Sequence, residues 1–286
     1  MKYANRINGI IAINKPYGKT SRDVVEEVQK ILNTKAGHTG TLDPIATGVL
    51  IVCLGKYTKL SNYITSNTKE YTAVVKFGIH TDTLDITGNI LDSNSIHPDK
   101  SVVQETLKKF IGTYEQEVPA YSAVKVGGHK LYEYARSGTK VSLPKRPVTI
   151  YSIELLEYND EGFTFKCKVS KGTYIRSLIR DICAKMNSYG TMEKLVRTYQ
   201  CGISIKNTYT IQDIKNNHYK MLDINDIMDV DVKVVDDDLK FKILNGVKQV
   251  GNVHTLFVDR NHKKIALYKY NGKDLEMWVK LYEDEG

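Results

Sequence analysis

"GHTGTLDPIATGVLIVCLG", Gly37 to Gly55, starts as a loop and ends as a strand. From Gly48 onward it is a short apolar run bounded by glycines, the pattern of a buried strand. The part before Gly48 has little periodicity and gathers glycines, threonines, a proline and a histidine around one carboxylate, Asp43. One aspartate is too little for most acid–base schemes, which pair two titratable groups, and the stretch lacks the spaced ligands of a metal site. Asp-Pro is also a common turn former. Against a plain turn stands the density of special residues on a loop between elements, where function tends to live. Gly37, Gly40 and Gly48 permit unusual backbone angles and close approach of a ligand, and His38 offers a ring able to enter a nucleic-acid stack.

Outward from this stretch, "GIIAIN" (Gly9 to Asn14) reads as a buried strand. "TSRDVVEEVQKIL" reads as a helix, with Thr20 and Asp23 at capping-box spacing and Val24, Val28, Ile31 and Leu32 on one face. "KEYTAVVKFGIHTDT" is a strand running into a polar loop, and Ser101 to Ile111 has helical spacing. "TIYSIELLEY" and "GFTFKCKVSKG" are strands, the second turning Phe163, Phe165, Cys167 and Val169 to one side, and "TYIRSLIRDICAKM" is a helix. Strands and helices mix without strict βαβ alternation, so the fold class is α+β. From about Val230 the chain breaks into strand-like pieces, "LKFKILNGVKQV", "VHTLFVDR", "KIALYKY" and "LEMWVKLYE", punctuated by turns, which makes a small all-β domain. Between Val118 and Val148, four lysines and two arginines are interleaved with three tyrosines, a composition suited to a mobile basic flap.

The whole chain has 286 residues, 41% of them apolar and 26% charged, enough for a sizeable core in a globular protein. A formal charge of +8 calls for an acidic partner, nucleic acid foremost. Cys53, Cys167, Cys183 and Cys201 are far apart and form no CxxC pair, as in a reduced cytosolic protein. The N-terminal stretch offers no secretion signal and no membrane span.

Three other motifs compete for attention. "GKTS", Gly18 to Ser21, sits between strand and helix like a phosphate-binding loop, but the glycine which that loop needs five positions earlier is Ile13, so a capped turn is the better reading. "HTDTLD" places His80, Asp82 and Asp85 close in sequence, with no second cluster to complete a coordination shell; solvated turn chemistry follows and no metal is implied. Tyr71 and the tyrosine of "KGTYIR" belong to a chain with 19 tyrosines, where packing is the ordinary role. A tyrosine can also stack on an extruded base and exchange a proton through its hydroxyl.

With these residues in view, the sequence resembles the TruB family of tRNA pseudouridine synthases. The resemblance is carried in order by "NGIIAINKPYGKTS", "GHTGTLDPIATGVLIVCLG", "KEYTAVVKFGIHTDTLDITG", "VPAYSAVKVGGHKLYEYARSG", "RPVTI" and "SKGTYIRSLIRDI". It implies an isomerase of tRNA processing that converts uridine 55 in the TΨC arm to pseudouridine on a flipped-out base. Asp43 is then the nucleophile, attacking either C6 of the uracil or C1′ of the ribose. Tyr71 resembles the ring that stacks on the uracil and the candidate base for the C5 proton, and Arg176 the cation paired with Asp43, which holds the carboxylate ionised. Tyr174 is similar to a tyrosine lining the pocket, His38 to the residue that fills the gap left by the extruded nucleotide, and Lys15 to the "KP" lysine, with a structural or phosphate role. Where the family shows an "LRR" run followed by Gly-x-Phe, this chain has "KLVRTYQCGISI". Leu195 is carried over as a pocket-floor residue and Val196 is not.

The resemblance further implies a mixed, largely antiparallel sheet with flanking helices in a catalytic domain over residues 1–229, with an RNA-clamping insertion at about 120–147. A PUA-like RNA-binding domain occupies 230–286. No cofactor or metal is expected, because isomerisation involves no net redox change or hydrolysis. The expected partner is the T-arm stem-loop of tRNA, with no membrane and no protein partner required, for a cytoplasmic monomer. The rival from another class is a non-catalytic RNA-binding or tRNA-folding protein; a synthase acting on another RNA, as in guide-dependent dyskerin-type relatives, keeps the chemistry and changes the substrate.

Overall fold

The computed structural model describes residues 7–64 and 68–282, so the first six residues and last four of the expected domains lie outside the described residues. Two compact units divide the chain: Met1–Pro44, Val49–Thr65 and Cys201–Gly286 form the first, and Ile45–Gly48 with Ser66–Gln200 the second. The fold is α+β.

In the first unit, strand Gly9–Lys15 lies beside strand Thr47–Leu54, which also pairs antiparallel with Ala36–His38. The opening motif is therefore not loop throughout, since Gly37 and His38 belong to a short strand and the loop begins at Thr39. Helix Ser21–Leu32 starts where its sequence says, with a reciprocal Thr20 and Asp23 capping box and Val24, Val25, Val28 and Leu32 buried. These residues pack against Ile11, Ile13, Leu50, Val52 and Leu54. The opposite side chains of the same two strands, Ile10, Ala12, Val49, Ile51 and Cys53, share a second core with Leu256, Val258, Leu267 and Val279. Both strands are thus buried on both faces, which explains their unbroken apolar runs.

Those last residues come from a four-stranded C-terminal sheet in the order Asp231–Val234, Thr255–Val258, Lys264–Tyr270, Leu275–Lys280, parallel in the first pair and antiparallel in the others. The expectation of an all-β segment fails at one point. "LKFKIL" is not a strand; it lies in helix Asp237–Leu244, started by the Asp236 carboxylate accepting from the Leu239 N–H at 2.9 Å. Ile243 is buried, and the Tyr268 hydroxyl donates to its carbonyl at 2.9 Å.

The second unit is built on five antiparallel neighbours, Gly190–Gln200, Thr68–Phe77, Gly162–Ser170, Lys145–Asn159 and Gly112–Glu117. Thr47 and Gly48 run parallel beside Val196 and Arg197, which makes the pairing mixed. One face carries Ala73, Val75, Phe163, Phe165, Cys167 and Val169, all buried. Helix Lys100–Lys109 packs against strand Lys145–Asn159, and helix Ile175–Lys185 against strand Gly190–Gln200. The basic run after Val118 is more structured than a mobile flap: Lys125–Val126 and His129–Lys130 form a hairpin that leads into helix Leu131–Arg136. No helix among the described residues is long and apolar enough to cross a membrane.

Candidate active site

Lys15, His38 and Asp43 belong to the first unit, and Tyr71, Tyr174, Arg176 and Leu195 to the second.

Asp43 is half-buried on a loop whose two adjacent residues are tied down. On its N-terminal side, the Leu42 N–H donates to the Ser21 hydroxyl at 2.8 Å, and that hydroxyl donates to the Leu42 carbonyl at 3.1 Å. On its C-terminal side, the Pro44 carbonyl accepts from the Gly18 N–H at 2.9 Å and from the Lys15 ammonium at 3.2 Å. The same ammonium donates to the carbonyls of Lys19 at 2.5 Å and Pro16 at 2.9 Å. Lys15 has 0% exposure, so this buried cation meets main-chain oxygens and presents no surface to a phosphate. Burying a charge is tolerable only with such partners. Before the loop, His38 is half-buried opposite Val52, and the Thr39 N–H donates to the Ile51 carbonyl at 3.1 Å.

In the second unit, Tyr71 lies opposite Arg197 on one neighbouring strand and Cys167 on the other, and Leu195 lies opposite Ala73. Cross-strand partners share a face of the sheet, as do residues two apart, so Tyr71, Leu195 and Arg197 point the same way. Arg197 has 1% exposure and is the largest fully buried side chain among the described residues. Sequence reading gave it no role, because its strand carries no regular apolar alternation: Met192 and Leu195 stand three residues apart. Val196, which stands where the family has its middle arginine, points to the opposite face.

Arg176, in the first turn of helix Ile175–Lys185, has 5% exposure, and its guanidinium donates to the carbonyls of Thr83 at 2.7 Å and Tyr121 at 3.0 Å. Those oxygens belong to the "HTDTLD" turn and to the start of the basic insertion. The turn itself is held by the Asp85 carboxylate, which accepts from the hydroxyls of Thr83 and Thr87 and the Thr87 N–H, in keeping with turn chemistry. Tyr174 stands at the N-cap position of the helix, where its side chain makes no capping bond. Its main chain is gripped by Gln116, another residue missed in the sequence. The side-chain amide accepts from the Tyr174 N–H at 2.8 Å and donates to its carbonyl at 3.1 Å and to the Tyr114 hydroxyl at 2.7 Å. That hydroxyl donates to Asp181, which also accepts from Arg180. Burial holds the Asp181 carboxyl above the usual carboxylate range, although Arg180 pulls it the other way.

A profile of the TruB family pseudouridylate synthase N-terminal domain matches residues 29–175. A tRNA pseudouridine synthase B of Caldicellulosiruptor saccharolyticus is 40% identical over 98% of this chain and 96% of its own length. One of Staphylococcus saprophyticus is 38% identical over 94% of this chain and 96% of its own length. Among solved structures, a chain from the crystal structure of a Cbf5–Nop10–Gar1 complex covers 96% of this chain and 84% of itself at a TM-score of 0.66 and 23% identity, a likeness of fold. With identity extending over nearly the full length of such relatives, the chain belongs to the TruB family of tRNA pseudouridine synthases and is an isomerase.

Proposed function

We propose that this chain isomerises uridine 55 in the TΨC arm of tRNA to pseudouridine, with Asp43 as the nucleophile. The observation that carries the reading is the bracketing of Asp43: Leu42 and Pro44 are both fixed by hydrogen bonds, so the carboxylate is presented from a preorganised backbone. Preorganisation of a reacting group is a main source of rate enhancement.

Asp43 attacks C6 of the uracil or C1′ of the ribose, and the N1–C1′ bond breaks. The base turns, C5 bonds to C1′, the bond to Asp43 breaks and frees the carboxylate, and the C5 proton passes to the acceptor while N1, released from C1′, takes up a proton. No atom is gained or lost, so a carboxylate and a proton acceptor suffice. Tyr71 stacks on the extruded uracil and is the candidate acceptor of the C5 proton, with Tyr174 and Leu195 lining the pocket. Arg176 is the cation paired with the nucleophile, and its two main-chain bonds fix where that charge stands. His38 fills the stack vacated by the base.

The insertion at 120–147 is the RNA clamp. Its hairpin lysine Lys125 is exposed, and the Tyr132 ring lies 5.4 Å from both the Lys130 ammonium and the Arg136 guanidinium, a mixture of charge and aromatic surface suited to an RNA backbone and its bases. The segment 230–286 serves as the PUA-like RNA-binding domain. The protein works as a cytoplasmic monomer without a protein partner.

The test is tritium release from T-arm RNA labelled at uracil C5, with no ATP, metal or guide RNA added. The wild-type protein releases tritium and Asp43→Asn does not, while both bind the RNA. Equal release by the two proteins refutes the nucleophile assignment. Binding without release by either leaves an RNA-binding protein in place of the enzyme.

A further inference from the structure

"GKTS" failed as a phosphate loop, and its four residues divide other work among them. The Gly18 N–H holds the Pro44 carbonyl, the Lys19 carbonyl receives the Lys15 ammonium, and Thr20 caps the helix with Asp23. Ser21 is left with no part in the cap. It is the first residue of a 12-residue helix, yet it has only 1% exposure. A small polar residue in the first helical turn ordinarily faces water or the free N–H groups of its own helix. Here the hydroxyl crosses to the Asp43 loop and engages both the N–H and the C=O of Leu42.

We propose that Ser21 is a positioning residue for the reaction. Through its single hydroxyl, acting as acceptor and donor, it sets the direction in which the backbone delivers the Asp43 carboxylate. The inference rests on the reading of Asp43 as the nucleophile. Three features support it. First, the two bonds are made to the residue immediately before Asp43, so a change at Leu42 turns the Asp43 Cα–Cβ bond directly. Second, Leu42 is itself buried at 4% exposure, so no water takes over the two main-chain groups when the hydroxyl is removed. Third, the C-terminal side of Asp43 is fixed independently by Lys15 and Gly18. Loss of the Ser21 clamp therefore lets Leu42 shift while the bonds at Thr39 and Pro44 keep the loop in place. That predicts misdirection of the carboxylate with little effect on the RNA-binding surface.

The experiment compares wild type, Ser21→Ala, Ser21→Thr and Ser21→Cys in the full chain. It measures single-turnover tritium release at saturating enzyme, RNA affinity by filter binding, and urea unfolding. Misplacement of a reacting group by about 1 Å costs up to roughly 100-fold in rate. Ser21→Ala is accordingly expected to slow release by about 10- to 100-fold with RNA affinity within about twofold of wild type. Ser21→Thr, which keeps the hydroxyl, restores most of the rate. If Ser21→Ala does not fold, Ser21→Cys carries the test, because its thiol keeps the shape and bonds weakly, and release slowed by about tenfold in a folded protein is the expected result. A Ser21→Ala protein that is less stable but releases tritium at the wild-type rate overturns the assignment, as does a full rate in Ser21→Cys. So does an equal loss in Ser21→Ala and Ser21→Thr, which would point to packing. An inactive wild-type protein is a different result: it removes Asp43 as nucleophile, and the role of Ser21 with it.

Discussion

Gly48 stands at the start of the strand that follows the loop of Asp43, beside Arg197, and adding one methyl group there does harm on two counts. Its φ is +103°, outside the small left-handed region that other residues tolerate. A Cβ built there lies 2.2 Å from the Arg197 carbonyl oxygen and 2.9 Å from its nitrogen. Real Cβ atoms do not approach closer than 3.0 Å, so the Arg197 backbone must retreat by ~0.8 Å or the strand must part. Backbone strain of this kind costs roughly 1–3 kcal/mol and overpacking a further 1–3 kcal/mol. The stiffer unfolded chain offsets about 0.4–1 kcal/mol. Gly48→Ala is therefore expected to lose about 2–5 kcal/mol, read as a fall in the urea midpoint at constant slope. Arg197 is the cross-strand partner of Tyr71, so its retreat also moves the face on which Tyr71 sits. In the folded fraction, tritium release should fall by one to two orders of magnitude, roughly. Gly37→Ala is the control within the same motif: Gly37 lies in a strand, and the nearest atom to its added Cβ is the Ser61 oxygen at 3.4 Å. That variant should stay within about 1 kcal/mol of wild type. If Gly48→Ala proves as stable and active as Gly37→Ala, the close approach of Gly48 and Arg197 is not a determinant of the fold or of the site.

Two further outcomes follow from buried groups. Burial pushes the thiols of Cys53, Cys167 and Cys183 up to about 12, and all four cysteines are buried, so a thiol reagent at about pH 8 should label none in the native protein and four after denaturation; rapid native labelling of any of them contradicts their packing. Asp181 is a carboxyl raised in the folded state, so the native protein holds its proton longer than the unfolded chain as pH rises. Its contribution to stability is fully present below the ordinary carboxylate pKa and is lost as pH climbs through the raised value. Against an Asp181→Asn reference, wild-type stability from urea midpoints should decline as pH rises above the ordinary carboxylate pKa of about 4, and a difference independent of pH refutes the burial argument.

Much of the first unit was legible because its signals are local. The Thr20 and Asp23 box, the helical spacing of Val24, Val28 and Leu32, and the apolar run of Thr47–Leu54 each express one element's own period. The strand Gly190–Gln200 was not read, although it lies between Thr68–Phe77 and the Thr47–Gly48 pair. A glycine start, Glu193 and Lys194 at a register shift, and buried Arg197 break its alternation, so its place is decided by the neighbours it bonds and not by its composition. Helix Asp237–Leu244 shows the converse. Leu239, Phe241 and Ile243 alternate like a strand, but Phe241 is exposed and the Asp236 cap decides the matter, a cap visible in the sequence as an aspartate three residues before Leu239. The candidate site divides along the same line. Asp43 stands out because glycine, threonine and proline crowd around it. The groups that hold its loop do not stand out, because Ser21 reaches Leu42 across 21 residues and Gln116 reaches Tyr174 across 58. A single polar side chain bonding both sides of a distant peptide leaves no period and no spacing behind. Such a clamp is recognised only when the fold has brought the two segments together, and in this chain both clamps fall on residues that adjoin or belong to the proposed site, Leu42 next to Asp43 and Tyr174 two before Arg176.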